Sequence, residues 1–289
     1  MWALLGSTDT TNWNYFIDYK NKNLKTDESN EKGSTIKKFL FEPSNNIWHF
    51  MYDFLAQVIW IGENEGYENT EFIIYFSKWV NHTDNLTSFL KDFFEKHGVK
   101  NYYFASAEDL MLINDYYRVN ANSHPTYPAH NLIYETLLKH YPSDIKPPEK
   151  KVYVSRINTK IKRIDDEKII EDFFVSKGFE IFNKINFGKS DIIEDIKYFR
   201  DVKVIAGISG AGLVNAVFMQ PGNLLIEIAV PIITHIPDKV KRFPEEHDLA
   251  RHLFHPLSAF IKNHMLIQVP GNDNSAKNAV DKINNLGIL

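Results

Sequence analysis

Three features of this 289-residue sequence predict an α/β fold organised around parallel sheets. From Lys151 onward, apolar runs of strand length alternate with amphipathic runs of helix length, and this order makes successive strands parallel, joined by right-handed crossovers. The segment before it already mixes helices with short strands. Finally, the run "VKVIAGISGAGLVNAVFMQPGNLLIEIAVP" (202–231) breaks at Gly207, Gly210 and Gly212, turns helix-like, and returns as a second apolar run carrying one acid, Glu227.

In the first half, "IWHFMYDFLAQVIWI" and "LTSFLKDFFEKHG" have helical periodicity, and "EFIIYF" and "KNYYFA" read as strands. The Lys- and Asn-rich segment 21–38 reads as a solvated loop. In "YPSDIKPPEKK" a proline pair and alternating charge interrupt both periodicities, which marks a linker. Two domains are therefore expected, residues 1–145 and 146–289. The second runs "KVYVSR" (strand), "DDEKIIEDFFVSKG" (helix), "FEIFNK" (strand), "SDIIEDIKYFRDV" (helix), "KVIAGIS" (strand), "AGLVNAVFMQPG" (helix) and "NLLIEIAVP" (strand).

Composition narrows the function. A net charge of -4 argues against a nucleic-acid partner. The absence of cysteine excludes disulfides and thiolate metal sites. The apolar runs are strand-sized, with no membrane span and no leader pattern, so a cytoplasmic protein is expected. Abundant Asn, Lys and Ile point to an AT-rich genome, bacterial or viral.

In a parallel sheet, ligands bind beyond the carboxyl ends of the strands. Ser155 and Arg156 follow the first strand of the second half, with Lys162 and Arg163 a few residues on. Ser209, Gly210, Ala211 and Gly212 follow the third. Glycines let the backbone approach a ligand, and N–H groups at a helix start favour an anion. Glu227 lies near the end of the fourth strand, where a carboxylate suits ribose hydroxyls. Together these residues describe a nucleotide-diphosphate site. The same Gly-Ala-Gly also fits tight strand-to-helix packing, and the arginines also fit exposed charges. A buried, unpaired Glu227 would be costly, so it needs a partner if its strand is central. A nicotinamide site is the rival: "GAGLVN" begins like G-x-G-x-x-G, but Asn215 replaces the third glycine and the turn sits in the third strand-helix unit.

"KVYVSRINTKIKRIDDE", "GFEIFN" and "VKVIAGISGAGLVNAVFMQPGNLLIEI" resemble, in order and spacing, the carboxyl-terminal domain of the family 61 glycosyltransferases, over about residues 151–230. "NNIWHFMYDFL" is similar to that family's Phe/Trp-His-x-x-x-Asp segment, over 45–55. The resemblance implies a GT-B architecture, two Rossmann-like domains facing a cleft. It implies inverting transfer from a UDP-sugar, with UDP-xylose and UDP-N-acetylglucosamine the leading donors, no obligatory metal or other cofactor, and a glycan, polysaccharide or glycoprotein acceptor. Carried over, Arg156 and Arg163 contact the diphosphate with Lys162 as helper, Gly210 to Gly212 and Asn215 form the turn under the phosphates, and Glu227 holds the ribose. Ser209 stands where the family turn has histidine, Asp166 where it has asparagine, and Asp195 where it has glutamine. A degenerate, non-catalytic sugar-nucleotide or glycan binder is the alternative these departures raise.

Inverting transfer needs one base. His49 and Asp53 are four apart and share a helix face. Asp53 is expected to take the acceptor proton, with His49 orienting it or substituting for it. The same pair also fits an amphipathic core helix.

Overall fold

The computed structural model describes residues 17–18, 36–44, 46–77, 80, 83–113, 116–119, 127–142, 147–159, 162–183, 191–229, 263–270, 274–287 and 289. The chain divides into two compact units, residues 1–142 with 186–193 and residues 143–185 with 194–289.

The first unit holds a five-stranded sheet. Its strands are β1 (Ile17–Asp18), β2 (Lys37–Phe41), β3 (Thr70–Tyr75), β4 (Tyr102–Ala105) and β5 (Tyr117–Val119), in the order β1-β5-β2-β3-β4. Four of these strands are parallel, and β1 pairs antiparallel with β5. Strand β2 begins inside the expected solvated loop: Lys37 and Lys38 pair with Thr70 and Glu71, and residues 21–35 lie outside the described region.

Helix α1 (Ala56–Glu65) continues a π-helical stretch, His49–Leu55. That stretch is buried nearly all round, since every residue from Phe50 to Leu55 is in the core. Helix α2 (Thr83–Lys96) buries Leu86, Phe89, Leu90, Phe93 and Phe94, a single stripe at helical spacing. Rings carry much of this packing: Phe50 meets Phe89 at 5.9 Å and Phe72 meets Phe94 at 5.4 Å between centroids. Helices α3 (Ala107–Leu112) and α4 (Tyr127–His140) complete the described part of the unit. Ser106 caps α3 reciprocally with Asp109.

The second unit follows the expected alternation. It contains β6 (Lys150–Val154), α5 (Glu167–Ser176), β7 (Glu180–Phe182), α6 (Ile192–Arg200), β8 (Val202–Ile208), a helical turn at Ala211–Phe218, β9 (Leu224–Ala229), β10 (Asn263–Gln268) and α7 (Ser275–Leu286). All described pairings in this sheet are parallel, in the order β10-β9-β8-β6-β7. One correction concerns "AGLVNAVFMQPG". It forms a 3-10 helix rather than an α-helix, with the tighter i→i+3 pattern seen in Leu213 N–H to Gly210 O at 3.0 Å.

One face of the second sheet packs Tyr153, Ala206, Ile226 and Ile267 against α5 and α7 through Phe174, Ala279 and Ile283. Tyr153 and Phe174 stack at 5.0 Å. Because side chains alternate along a strand, Gly207, Ser209, Glu227 and His264 fall on the opposite face. Strand β6 is followed in sequence by β7 on one side and by β8 on the other, so the winding direction reverses between β6 and β8. That reversal is where doubly wound sheets open a crevice at the carboxyl ends of their strands.

Candidate functional site

Strands β6 and β8 flank the reversal, and the residues that follow them are Ser155-Arg156 and Ser209-Gly210. The first segment is held by Glu167 at the start of α5. One oxygen of Glu167 accepts from the Arg156 N–H at 2.7 Å and from the Tyr153 hydroxyl at 3.1 Å. Burial pushes the Glu167 carboxyl up from its ordinary range, and these two donors pull the other way. The Arg156 carbonyl in turn accepts from the Thr159 N–H and hydroxyl, both at 2.8 Å. The loop is therefore tied on both sides of Arg156, and its direction is fixed before any ligand arrives.

The second segment is held by the sheet. The Ser209 N–H donates to the Ile228 carbonyl at 2.8 Å, extending the β8–β9 ladder one step beyond the strand. Gly210 follows in an extended conformation, and a Cβ placed there would lie 2.2 Å from Nη1 of Arg156. The arginine head thus rests on the bare glycine backbone, and glycine at this position is a matter of space. Gly212 packs in the same way on Val154, whose Cγ1 would be 2.9 Å from an added Cβ. Asn215 is buried and donates from Nδ2 to the Gly212 carbonyl at 2.9 Å, closing the turn on itself. The N–H groups of Ala211 and Gly212 precede the Leu213 N–H to Gly210 O bond of this 3-10 turn.

Arg156 and Arg163 are both partly buried, and the charge of Arg156 acts on Arg163. Burial lowers the affinity of both guanidinium groups for their protons, and Arg163 is lowered further by the charge of Arg156 and raised by that of Glu227. Both stay charged, because arginine does not deprotonate in proteins. Lys162 is exposed beside them on the same loop. Asp166 is exposed just before α5 and makes no capping bond, and Asp195 is buried on α6.

Glu227 is fully buried, at 0% exposure, in the middle of β9 between Gly207 and Leu266. Its partners are Ser209, whose hydroxyl donates to Oε1, and His264 of β10, whose Nε2 lies 3.1 Å from Oε2. The sequence required a partner for a central Glu227, and two are present. His264 carries no local signal: its partner is 37 residues away in sequence, and only the pairing of β9 with β10 brings them together. Glu167 ends the segment "KVYVSRINTKIKRIDDE", and its role is not local, because its hydrogen bonds reach backward across a loop to Tyr153 and Arg156.

In the first unit, His49 and Asp53 also meet. Nδ1 of His49 lies 2.6 Å from Oδ2 of Asp53, with the imidazole side chain 44% exposed and the carboxylate 5% exposed. The pair sits in the π-helical stretch rather than an α-helix, and π-bulges of this kind are frequent at functional sites. The hydrogen bond that His49 donates to Asp53 raises the His49 pKa above its ordinary 6.5, opposed by burial and reinforced by the carboxylate charge. The outward group of the pair is the ring.

Among the described residues, no group of three or more His, Cys, Asp and Glu side chains is placed to hold a metal ion. No helix among them is long and apolar enough to cross a membrane.

Comparison with solved structures finds similarity to the E. coli heptosyltransferase WaaC with ADP, at 10% identity and a TM-score of 0.40, covering 86% of this chain and 99% of that one. No curated protein matches the sequence. The family model described as Glycosyltransferase 61 matches residues 47–226, from the helix carrying His49 and Asp53 to the strand carrying Glu227. That span covers more than half of the chain, so the protein belongs to the glycosyltransferase 61 family and is a glycosyltransferase.

Proposed function

We propose that the protein transfers a sugar, with inversion and without an obligatory metal, from a UDP-sugar to a hydroxyl of a glycan, polysaccharide or glycoprotein. UDP-xylose and UDP-N-acetylglucosamine are the leading donors. The observation that carries this reading is the guanidinium of Arg156 lying against Gly210 at the sheet's reversal point, with a second partly buried cation, Arg163, feeling its charge. Like charges gathered at partial burial are unfavourable until an anion joins them, and a diphosphate supplies matched oxygens for two guanidinium groups. The same two charges would neutralise the leaving diphosphate, the task a divalent ion performs in metal-dependent enzymes.

On the acceptor side, we assign the base to the His49–Asp53 dyad. A carboxylate behind an imidazole fixes the tautomer, so that the Nδ1 proton faces Asp53 and Nε2 is left as the acceptor. Asp53, at 5% exposure, is poorly placed to meet a substrate hydroxyl itself, whereas His49 is not. The ring is thus the preferred acceptor of the proton and the carboxylate the group that strengthens it. Transfer then moves the hydroxyl proton to His49 as the oxygen bonds to the anomeric carbon, and the electron pair of the old bond leaves with UDP.

One observation favours a second reading. The Ser209 hydroxyl is engaged by Glu227 and buried, so the turn offers no side-chain donor to the leaving group. A binder without turnover would have the same feature. The deciding experiment is a donor-hydrolysis and transfer screen over UDP-, GDP- and TDP-sugars, with and without excess EDTA. Turnover of a UDP-sugar in EDTA is the expected result. UDP binding without turnover of any donor would establish the binder, and activity that returns only with manganese would overturn the metal-free assignment.

A further inference from the structure

The structure assigns Glu227 to a buried clamp, Ser209–Glu227–His264, that fixes the phosphate-facing turn, and leaves the ribose to other groups. This inference rests on the donor-site reading above and concerns how that site is held.

A carboxylate that reads ribose hydroxyls must present an oxygen to the ligand. Glu227 is 0% exposed, and each of its oxygens already faces a protein partner, the Ser209 hydroxyl on one side and Nε2 of His264 on the other. His264 is itself nearly closed off, with 6% of its side chain exposed. The buried charge needs compensation, which two hydrogen-bonding partners and the nearby charge of Arg163 supply.

The clamp is connected to the ligand-facing atoms through covalent neighbours. Ser209 is pinned twice, by its N–H on Ile228 and by its hydroxyl on Glu227. The next residue, Gly210, carries the guanidinium of Arg156 against its backbone, and its carbonyl receives the first bond of the 3-10 turn. A shift of Ser209 therefore moves Gly210, the Ala211 and Gly212 N–H groups and the backbone surface against which the Arg156 guanidinium lies. His264 and Glu227 are positioning residues in this scheme, and their loss weakens phosphate binding whatever sugar is attached.

The test is calorimetric titration of the full chain with UDP, 2′,3′-dideoxy-UDP and inorganic pyrophosphate. The variants are Glu227→Gln, His264→Leu, His264→Gln and Ser209→Ala, each with its melting temperature. In the expected result, Glu227→Gln, His264→Leu and Ser209→Ala each weaken all three ligands by a similar factor, about five- to tenfold, leaving the ratio of UDP to dideoxy-UDP affinity at its wild-type value. His264→Gln, which keeps a nitrogen donor near Oε2, recovers most of the loss. Collapse of the UDP preference in Glu227→Gln with pyrophosphate affinity unchanged would overturn the clamp and return Glu227 to the ribose. Should Glu227→Gln fail to fold, wild-type affinities in both His264→Leu and Ser209→Ala would overturn it equally. Failure of the wild-type chain to bind UDP or pyrophosphate would remove the donor-site reading and the clamp with it.

Discussion

The two candidate sites are built in opposite ways. The donor side gathers Arg156, Ser209, Gly210, Glu227 and His264 from four strands or the residues just after them; the sheet ladder holds Ser209, Glu227 and His264, and Glu167 holds the Arg156 backbone. The dyad takes both of its members from a single π-helical turn wrapped in Phe50, Met51, Tyr52 and Phe54. On the donor side backbone hydrogen bonds hold the strands, and Glu227 is paired with Ser209 and His264 before a ligand arrives. The dyad is rigid because aromatic packing holds it, and only its imidazole reaches outward. A sheet can bury a carboxylate and bring its partners to it from neighbouring strand positions, as it does for Glu227. A helix turn can put one buried carboxylate directly behind one exposed base.

The sharpest way to test this division is to remove one site and measure the other. His49→Ala is expected to lower turnover by about two to four orders of magnitude, the usual worth of a general base, while UDP affinity stays at its wild-type value. Asp53→Asn keeps the ring but removes the charge behind it. It should also lower turnover, and the pKa on the acid limb of the pH–rate profile should fall back toward 6.5, because the hydrogen bond to the Asp53 carboxylate is what raises it. A loss confined to Asp53→Asn would move the base to the carboxylate. The sign for stability runs the other way from that for activity. The raised pKa means that the pairing stabilises the fold fully below pH 6.5, and this contribution disappears as pH rises through the folded value, where the ring becomes a competent base.

Next in size is Arg156→Ala. It should cost about 1.5 to 3 kcal/mol of UDP binding, a charge-assisted contact to phosphate, with the melting temperature as control. Unchanged affinity in a folded variant would show that the arginine pair is structural. Gly210→Ala is milder. The new methyl group meets the guanidinium of Arg156 at the far end of a flexible side chain, which can move aside. A loss of about 1 kcal/mol, roughly fivefold in UDP affinity, is expected, and Arg156→Ala should abolish the effect of Gly210→Ala in the double variant.

The smallest effect sharpens the contrast between aromatic and sheet-based packing. His97, at the end of α2, stacks on Phe93 at 4.0 Å and on His140 at 3.9 Å, and its Nδ1 lies 2.7 Å from the Phe93 carbonyl. Burial lowers its pKa to about 4, with His140 and Lys139 adding repulsion and the Phe93 carbonyl opposing. A base with a lowered folded pKa stabilises the native state above its unfolded pKa, and that contribution is lost as pH falls from about 6.5 toward 4. The melting temperature should therefore decline over that range, and His97→Gln should flatten the decline without changing UDP affinity at neutral pH. A decline identical in His97→Gln would place the acid sensitivity elsewhere.

The strands and helices of the second unit were legible because each is a local pattern, with periods of two and of 3.6 bounded by glycine, proline and charge. The positions of Arg156 and Ser209 just after strand ends follow from the same reading, whereas Glu227, expected near a strand end, sits in the middle of β9. The His49–Asp53 spacing was legible for a similar reason, as four residues make one helical turn. Tertiary structure decided the rest. It set β6 beside β8 and so fixed where the winding reverses. It set the 3-10 turn of "AGLVNAVF" against β6, where Gly212 leaves no room for a Cβ beside Val154. It buried Asp53 and exposed His49, a difference that identical helical spacing cannot encode. It also delivered His264 to Glu227 from a strand 37 residues further along the chain, a contact between strands that no local pattern contains. Spacing within one element is written in the chain, whereas the partner of a buried charge depends on which elements become neighbours.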